Sequence, residues 1–259
     1  MSALAVAGLV AGALMGGCWL VSLIKRDVSI VDPLWPMVFV AVAWSVWLWG
    51  DGAGSGRDGL MLAMVSAWGL RLGAHLTARK WGEPEDFRYQ SLRRRLPPFW
   101  LWSLLVVFIL QAFLAVVVSL PVQEVLGDPG PSPLGWLDWI GAAVWAVGFG
   151  FEAVSDEQLR RFKADPANRG QVMDRGLWRY SRHPNYFGDC VVWWGIYVVA
   201  AAAGAWWTIA GPLVMTVLLL RVSGVALLER SIGKRRPGYA EYAARTSAFI
   251  PRPPRRAPR

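Results

Sequence analysis

Seven stretches of about 17 to 22 mainly apolar residues dominate this chain, at roughly 3–24, 34–49, 59–76, 99–120, 136–154, 186–204 and 206–228. Coiled as a helix, each run is long enough to cross the hydrocarbon core of a bilayer. Lipid offers no partner to backbone N–H and C=O groups, so a chain built this way must satisfy them within each segment. The expected fold is therefore all-α, a polytopic membrane bundle of about seven transmembrane helices, the second run being the shortest. A content of 55% hydrophobic residues in 259 excludes an ordinary soluble domain. The first run opens Met-Ser-Ala-Leu without a basic leader and is followed by Lys25-Arg26, which predicts a retained anchor rather than a cleaved signal peptide. Tryptophans such as Trp44, Trp47 and Trp49, and Trp206 and Trp207, cluster near the ends of runs, where an amphipathic ring prefers the headgroup level.

The net charge of +9 raises a nucleic-acid partner, but the placement of the charges argues against one. When the seven runs are alternated across a membrane, only Arg57 of the 27 Lys and Arg residues falls on the outer face, which instead carries Asp51, Asp58, Glu124 and Asp128. Lys25 and Arg26, the 79–95 loop, the 160–182 loop and the 230–259 tail fall on the other face, as the positive-inside rule requires of a cytoplasmic side. The amino terminus is expected outside and the carboxyl terminus inside, in a multi-pass protein of a bacterial cytoplasmic (inner) membrane. Anionic membrane lipids are then natural partners of the basic face. No recognition module accompanies the charge, so no nucleic acid is expected. Cys18 and Cys190 lie inside runs without metal-ligand spacing, so no metal site is expected either. There is no internal repeat, and the Pro/Arg-rich tail at 252–259 reads as extended.

Ionisable groups inside an apolar run are costly unless they face protein and find partners, which makes each a functional candidate. Arg71, His75 and Arg79 recur every four residues and share one helical face, as do Glu152, Asp156 and Arg160. Glu157 and Arg161 beside the second set read as an ordinary exposed ladder. Arg221 stands two turns inside Glu229 and predicts a buried partner, with Asp189, Glu152 or Glu229 as candidates. Asp32 precedes Pro33, the pattern of a helix cap. The densest cluster lies before and within the sixth run: Arg175, Arg179 and Arg182, then His183 and Pro184, with Asn185, Tyr186 and Asp189 following. Pro184 suits the first turn of a helix, His183 its cap, and Asn185 and Asp189 one face. Arginines delivered to free N–H groups at a helix start suit a phosphate-bearing ligand.

Three segments carry a resemblance: Gly176-Leu-Trp-Arg-Tyr-Ser-Arg-His-Pro-Asn-Tyr-Phe-Gly-Asp189, Tyr239-Ala-Glu-Tyr-Ala-Ala-Arg-Thr-Ser-Ala-Phe-Ile-Pro251, and Asp27-Val-Ser-Ile-Val-Asp-Pro-Leu-Trp35. Together they resemble a bacterial family of membrane proteins of unknown function grouped with the steroid 5α-reductase carboxyl-terminal domain. The wider superfamily includes isoprenylcysteine carboxyl methyltransferases, which use S-adenosylmethionine. The reductase resemblance implies one integral membrane domain over 1–259, with substrate-side helices in 1–120, a cofactor-binding half at 136–251 and the tail at 252–259. It implies NADPH held from the cytoplasmic side and a lipid-like substrate entering from the bilayer. By position, Asp156, Tyr180, Asn185 and Asp189 match cofactor-contacting residues of the reductases. The Gln-Glu pair and Tyr of those enzymes are not matched: Asp32 lies in the right region without a Gln, and Trp68 stands where the Tyr is expected.

The expected activity is NADPH-dependent reduction of a polarised, enone-like C=C bond in a lipid or sterol-like substrate. Asp32, Arg71 and His75 are the expected catalytic groups, His75 as a proton donor because an imidazole titrates near neutrality. The expected cofactor contacts are Glu152, Asp156, Arg160, Arg175, Arg179, Tyr180, Arg182, His183, Asn185, Tyr186, Asp189, Arg221, Tyr239 and Tyr242. The rival is a methyltransferase of the isoprenylcysteine type, in which the same motif and Glu229 hold S-adenosylmethionine. Arginine separates the two, because NADPH brings a pyrophosphate and a 2′-phosphate whereas S-adenosylmethionine is cationic at sulfur; Arg93, Arg94 and Arg95 add to the count. A transporter or scaffold is disfavoured, since the polar groups gather at one face and do not line a path across the membrane.

Overall fold

A computed structural model of the chain describes residues 1–50, 54–127, 133–222, 224–225, 229 and 237–255. These residues are helical nearly throughout, and among them the only β-pairing is a single parallel bridge between Ser181 and Ser247. In chain order the helices are α1 (Ala3–Lys25), α2 (Val31–Trp49), α3 (Gly56–Lys80), α4 (Phe87–Arg95), α5 (Phe99–Val118), α6 (Leu120–Gly127), α7 (Trp136–Ala164), α8 (Pro184–Ala202), α9 (Trp206–Val222) and α10 (Tyr239–Arg245). The chain divides into two compact units, Met1–Trp139 with Ile196–Gly211, and Ile140–Gly195 with Pro212–Arg259.

Among the described residues, five helices are long and apolar enough to cross a membrane: α1, Val28–Trp49, α3, α5 and α7. That is fewer than the seven runs marked in the sequence. The sixth run is helical as α8, but its first turns spend Pro184, Asn185, Tyr186 and Asp189 on polar chemistry and dilute its hydropathy. The seventh, α9, is a shorter apolar helix. Residues 121–127, placed by the sequence in an outer loop, are instead helical in α6, because Val122, Val125 and Leu126 recur at helical spacing and are buried.

In the first unit, α1 buries a narrow stripe of Val6, Ala7, Ala11 and Met15 while Leu4, Leu9, Leu20 and Ile24 stay exposed. An apolar exterior of this kind suits a bilayer and would be a liability in water. The core between α2 and α3 is aromatic at its centre, where the fully buried Trp68 meets Phe39 edge to face at 5.7 Å. Trp68 thus fills the core.

Arg57, the one cation that topology left on the outer face, is also explained here. Ser55 and Asp58 form a capping box that starts α3, which points Arg57 at the first turn of α7. Its Nε and Nη2 donate to the two oxygens of Asp138 at 2.7 and 2.9 Å, and Nη2 also to Pro133 O at 3.2 Å. Both side chains are buried, so the fork is a compensated ion pair out of water.

In the second unit, Gly188 of α8 lies directly on α7. A Cβ there would collide with the backbone of Glu152 and with Gly148 O, so only glycine allows the approach. This contact sets the two helices that carry Asp156 and Asn185 side by side.

Removing one member of the buried pair strands its partner's charge, at a cost of about 3–5 kcal/mol. Asp138→Ala and Arg57→Ala are each expected to lower the detergent-solubilised melting temperature sharply. The paired replacement Arg57→Met with Asp138→Leu should recover most of the loss, which a thermal melt of the four proteins will measure.

Candidate functional site

The polar residues of the second unit are held by a clamp between two distant stretches of chain. Before α8 the chain makes a 3₁₀ turn, Gly176–Arg179, whose entry needs a left-handed φ of +58° at Gly176. The turn is pinned from α7: Gln158 Oε1 accepts from Leu177 N at 3.0 Å, and Trp178 Nε1 donates to Ser155 O at 3.0 Å. From the other side the segment after α10 runs alongside residues 180–182. Arg182 N donates to Ser247 O at 2.8 Å, Ser181 Oγ to Phe249 O at 2.7 Å, and Arg252 N to Tyr180 O at 3.0 Å. The carboxyl-terminal stretch through Arg255 is thereby tied to the motif.

Within this clamp α8 begins at Pro184, and His183 is the residue before it, as its proline predicts. His183 is buried, takes Ser181 Oγ with its backbone N–H at 3.1 Å, and stacks on Tyr186 with ring centroids 5.7 Å apart. Its Nε2 lies 2.9 Å from Glu229 Oε1. The same oxygen accepts from the Tyr239 hydroxyl at 2.7 Å, and Arg182 Nε stands 3.1 Å away as an ion contact without hydrogen-bond alignment. Arg182 Nη1 donates to Ala243 O at 2.9 Å. One carboxylate oxygen therefore gathers three positive or donating groups.

Burial by itself would raise the Glu229 carboxyl, but hydrogen bonds from His183 and Tyr239 and the charge of Arg182 outweigh it and hold it below the ordinary value. Tyr239 is raised, by burial and then by the carboxylate it serves. On the neighbouring face, Asn185 Nδ2 donates to Asp156 Oδ1 at 3.1 Å, while Asn185 Oδ1 is buried with no donor. Glu152 and Asp156 are buried on α7, and Asp189 is half-buried one turn beyond Asn185.

The structure thus brings together Arg182, His183 and Tyr239 around Glu229, with Tyr186 stacked on His183, and Asn185 with Asp156. Glu229 entered the sequence reading through the methyltransferase alternative and as a candidate partner of Arg221, not as a contact of the expected cofactor. Other expected residues are placed differently. Arg160 is exposed and forks onto Glu157 at 2.6 and 2.8 Å, because an i−3 partner is nearer than Asp156. Arg221 is exposed and makes no ion pair among the described residues, so the buried partner expected for it is not formed. Tyr242 is buried, and its hydroxyl is committed to the carbonyls of Trp178 and Ser181. It shapes the 3₁₀ turn from beneath. Arg175 and Arg179 are exposed, with no side-chain hydrogen bond or ion pair among the described residues, and Tyr180 lies exposed beside them.

In the first unit Asp32 is not a cap. Asp27 takes that part, accepting from Ser29 N at 2.9 Å, and Asp32 falls in the first turn of α2. There it accepts from Arg88 Nη2 and from the Tyr89 hydroxyl, both at 2.7 Å. Asp86 fixes Arg88 from the other side at 2.9 Å, and Gln111 of α5 reaches the same Tyr89 hydroxyl. Burial and the Asp32 charge push the Tyr89 phenol well above its ordinary value, so it stays protonated. Sequence spacing did not find Tyr89, because α4 is a short polar helix outside every apolar run. Arg71 and His75 lie half-exposed on α3.

The depressed Glu229 carboxyl fixes a pH dependence. A carboxyl lowered on folding stabilises the protein above its unfolded value, and that contribution is lost as pH falls through the folded value. Melting of the wild type is therefore expected to weaken as pH drops below the ordinary carboxylate range, and Glu229→Gln should flatten that slope in a pH series of thermal melts.

Among known proteins, the chain is similar to an uncharacterized protein, C594.04c, of Schizosaccharomyces pombe, with 26% identity over 277 residues that cover 95% of this chain and 79% of the yeast protein. No solved structure matches it. Residues 18–246 match the family model described as protein of unknown function (DUF1295), and the chain belongs to that family.

Proposed function

We propose that this protein is a membrane-embedded reductase that uses NADPH to reduce a polarised, enone-like carbon–carbon double bond in a lipid or sterol-like substrate. The observation that carries this reading is the pair Arg175 and Arg179. They bracket a turn pinned on both sides by Gln158, Ser155 and Tyr242, and neither guanidinium has a partner among the described residues. Two uncommitted guanidiniums on a pinned turn suit a ligand with more than one phosphate, since each can fork onto phosphate oxygens. The cationic sulfonium of S-adenosylmethionine asks for no such pair.

The other groups fit the same ligand. The buried Asn185 Oδ1 calls for an N–H or O–H donor, which a ribose hydroxyl or a carboxamide provides. The resemblance of the Gly176–Asp189 and Tyr239–Pro251 segments to the steroid 5α-reductase carboxyl-terminal domain supports it independently. The basic loops set the orientation, with the amino terminus outside and the cofactor face cytoplasmic. NADPH, when bound, supplies a hydride for the β-carbon of the double bond. The protein's own part is to hold the charge that develops on the carbonyl oxygen and to return a proton. The first unit supplies a candidate donor in Tyr89, a phenol kept protonated and oriented by Asp32. Asp32 and Arg88 act as its positioning groups, and His75 and Arg71 are the further polar candidates on α3.

Thermal shift of the purified protein with NADPH, NADP, NADH and S-adenosylmethionine tests the cofactor. NADPH and NADP are expected to stabilise, NADH less for want of the 2′-phosphate, and the double variant Arg175→Ala with Arg179→Ala to lose at least tenfold in NADPH affinity. A shift with S-adenosylmethionine alone would sink the reading. Tyr89→Phe is expected to leave NADPH stabilisation intact and to slow turnover of a reducible substrate by about a hundredfold.

A further inference from the structure

The end of the first unit that carries the starts of α1 and α3 contains a cavity of about 390 Å³ that plays no part in the clusters described above. Among its lining residues are Ala3, Arg57, Asp58, Gln123, Glu124 and Trp207. Gln123, on α6, is 2% exposed. Its amide nitrogen donates to Val116 O at 2.7 Å and to Ser119 Oγ at 2.8 Å. Val116 O can only accept, so the amide cannot be turned over, and Gln123 Oε1 is left buried without a donor. A buried amide oxygen in a residue lining a polar cavity calls for a donor from outside the chain.

The charges around it say what kind of donor. The Arg57 guanidinium is committed to Asp138. Asp58 accepts backbone N–H from Ser55 at 3.1 Å and feels the charge of Arg57, whose hydrogen bonds go to Asp138 instead. Glu124 is exposed and makes neither hydrogen bond nor ion pair among them. Arg57 and Asp138 offset each other, so the cavity offers an amide oxygen and two carboxylates in excess of its one cation pair, together with the exposed indole of Trp207.

We propose that this cavity binds a primary ammonium group. Such a group carries one positive charge and three N–H donors, which match Gln123 Oε1, Asp58 and Glu124, while an indole face favours a cation above it. A quaternary ammonium brings the charge without the donors and leaves Gln123 Oε1 unsatisfied. The shared chemistry is that of ethanolamine, carried either by a phospholipid headgroup or by a free amine. This inference is independent of the proposed reductase activity, because its residues lie at the end of α1 and α3 opposite to the Asp27–Lys80 and Asp32–Arg88 pairs.

The test is the melting temperature of the full chain in nanodiscs of phosphatidylethanolamine, of phosphatidylcholine with the same acyl chains, and of the latter with free ethanolamine added. A higher midpoint in phosphatidylethanolamine alone supports the site with the headgroup as source. A rise with free ethanolamine in phosphatidylcholine supports it with a soluble amine. In either case Glu124→Gln, a change at an exposed position, should weaken the effect about tenfold or more, and Gln123→Leu should remove the preference for a primary over a quaternary amine. Glu241→Gln, in the second unit, should leave it intact. Equal midpoints in all three conditions overturn the proposal, as does an ethanolamine effect that Glu124→Gln leaves unchanged.

Discussion

Loss of water is the constraint on which the rest of this structure depends. A polar group withdrawn from water must be paid back within the protein, and the chain does so with pairs assembled from positions far apart in sequence. Arg57 reaches Asp138 across 81 residues, and Tyr89 reaches Asp32 across 57. The sharpest case is Glu229, whose single oxygen Oε1 receives His183 and Tyr239 and faces Arg182. Each pairing fixes helices that packing of apolar side chains alone would leave free to slide, because a bare lipid-facing stripe has no preferred register.

The carboxyl-terminal clamp extends this logic to a loop. Residues 180–182 and 247–252 satisfy each other's backbone groups, and Tyr242 fills the space beneath the turn at Trp178. Two of the three segments that carry the family resemblance are therefore one structural object: although some 60 residues apart, the second holds the first in shape.

Helices were legible in the sequence because apolar length is a one-dimensional property. The runs at 3–24, 59–76 and 136–154 appear as α1, α3 and α7 with ends extended by capping and by charged turns such as Arg79-Lys80. The cap of α8 at His183 was legible too, since Pro184 announces it. Partnership was not. Four-residue spacing suggested that Arg160 joins Asp156, whereas it turns to Glu157 one residue closer, and the face that spacing assigns cannot say which rotamer wins. Tyr89 escaped notice because nothing local marks a tyrosine on a short polar helix; only the fold brings it to Asp32. Helix α6 escaped because its apolar triad is too short for a membrane run, yet long enough to bury.

Pairing also changes what the arginines mean. Counting them on the basic face cannot separate a phosphate site from the positive-inside rule, since both enrich the same residue on the same side. Their commitments can. Arg88 belongs to Asp32 and Asp86, Arg93 to Glu85, Arg182 to Glu229 and Ala243, and Arg160 and Arg161 to Glu157. Topology would be served equally well by arginines that wave in solvent from a loose loop. Arg175 and Arg179 instead leave the backbone of a turn that a glycine, a glutamine, a tryptophan and a tyrosine all serve to fix, and fixing the root of an unpaired charge gains nothing for folding. A fixed backbone beneath an unpartnered charge is what a ligand-binding loop requires, because the loop's share of the ordering cost is then met before the ligand arrives.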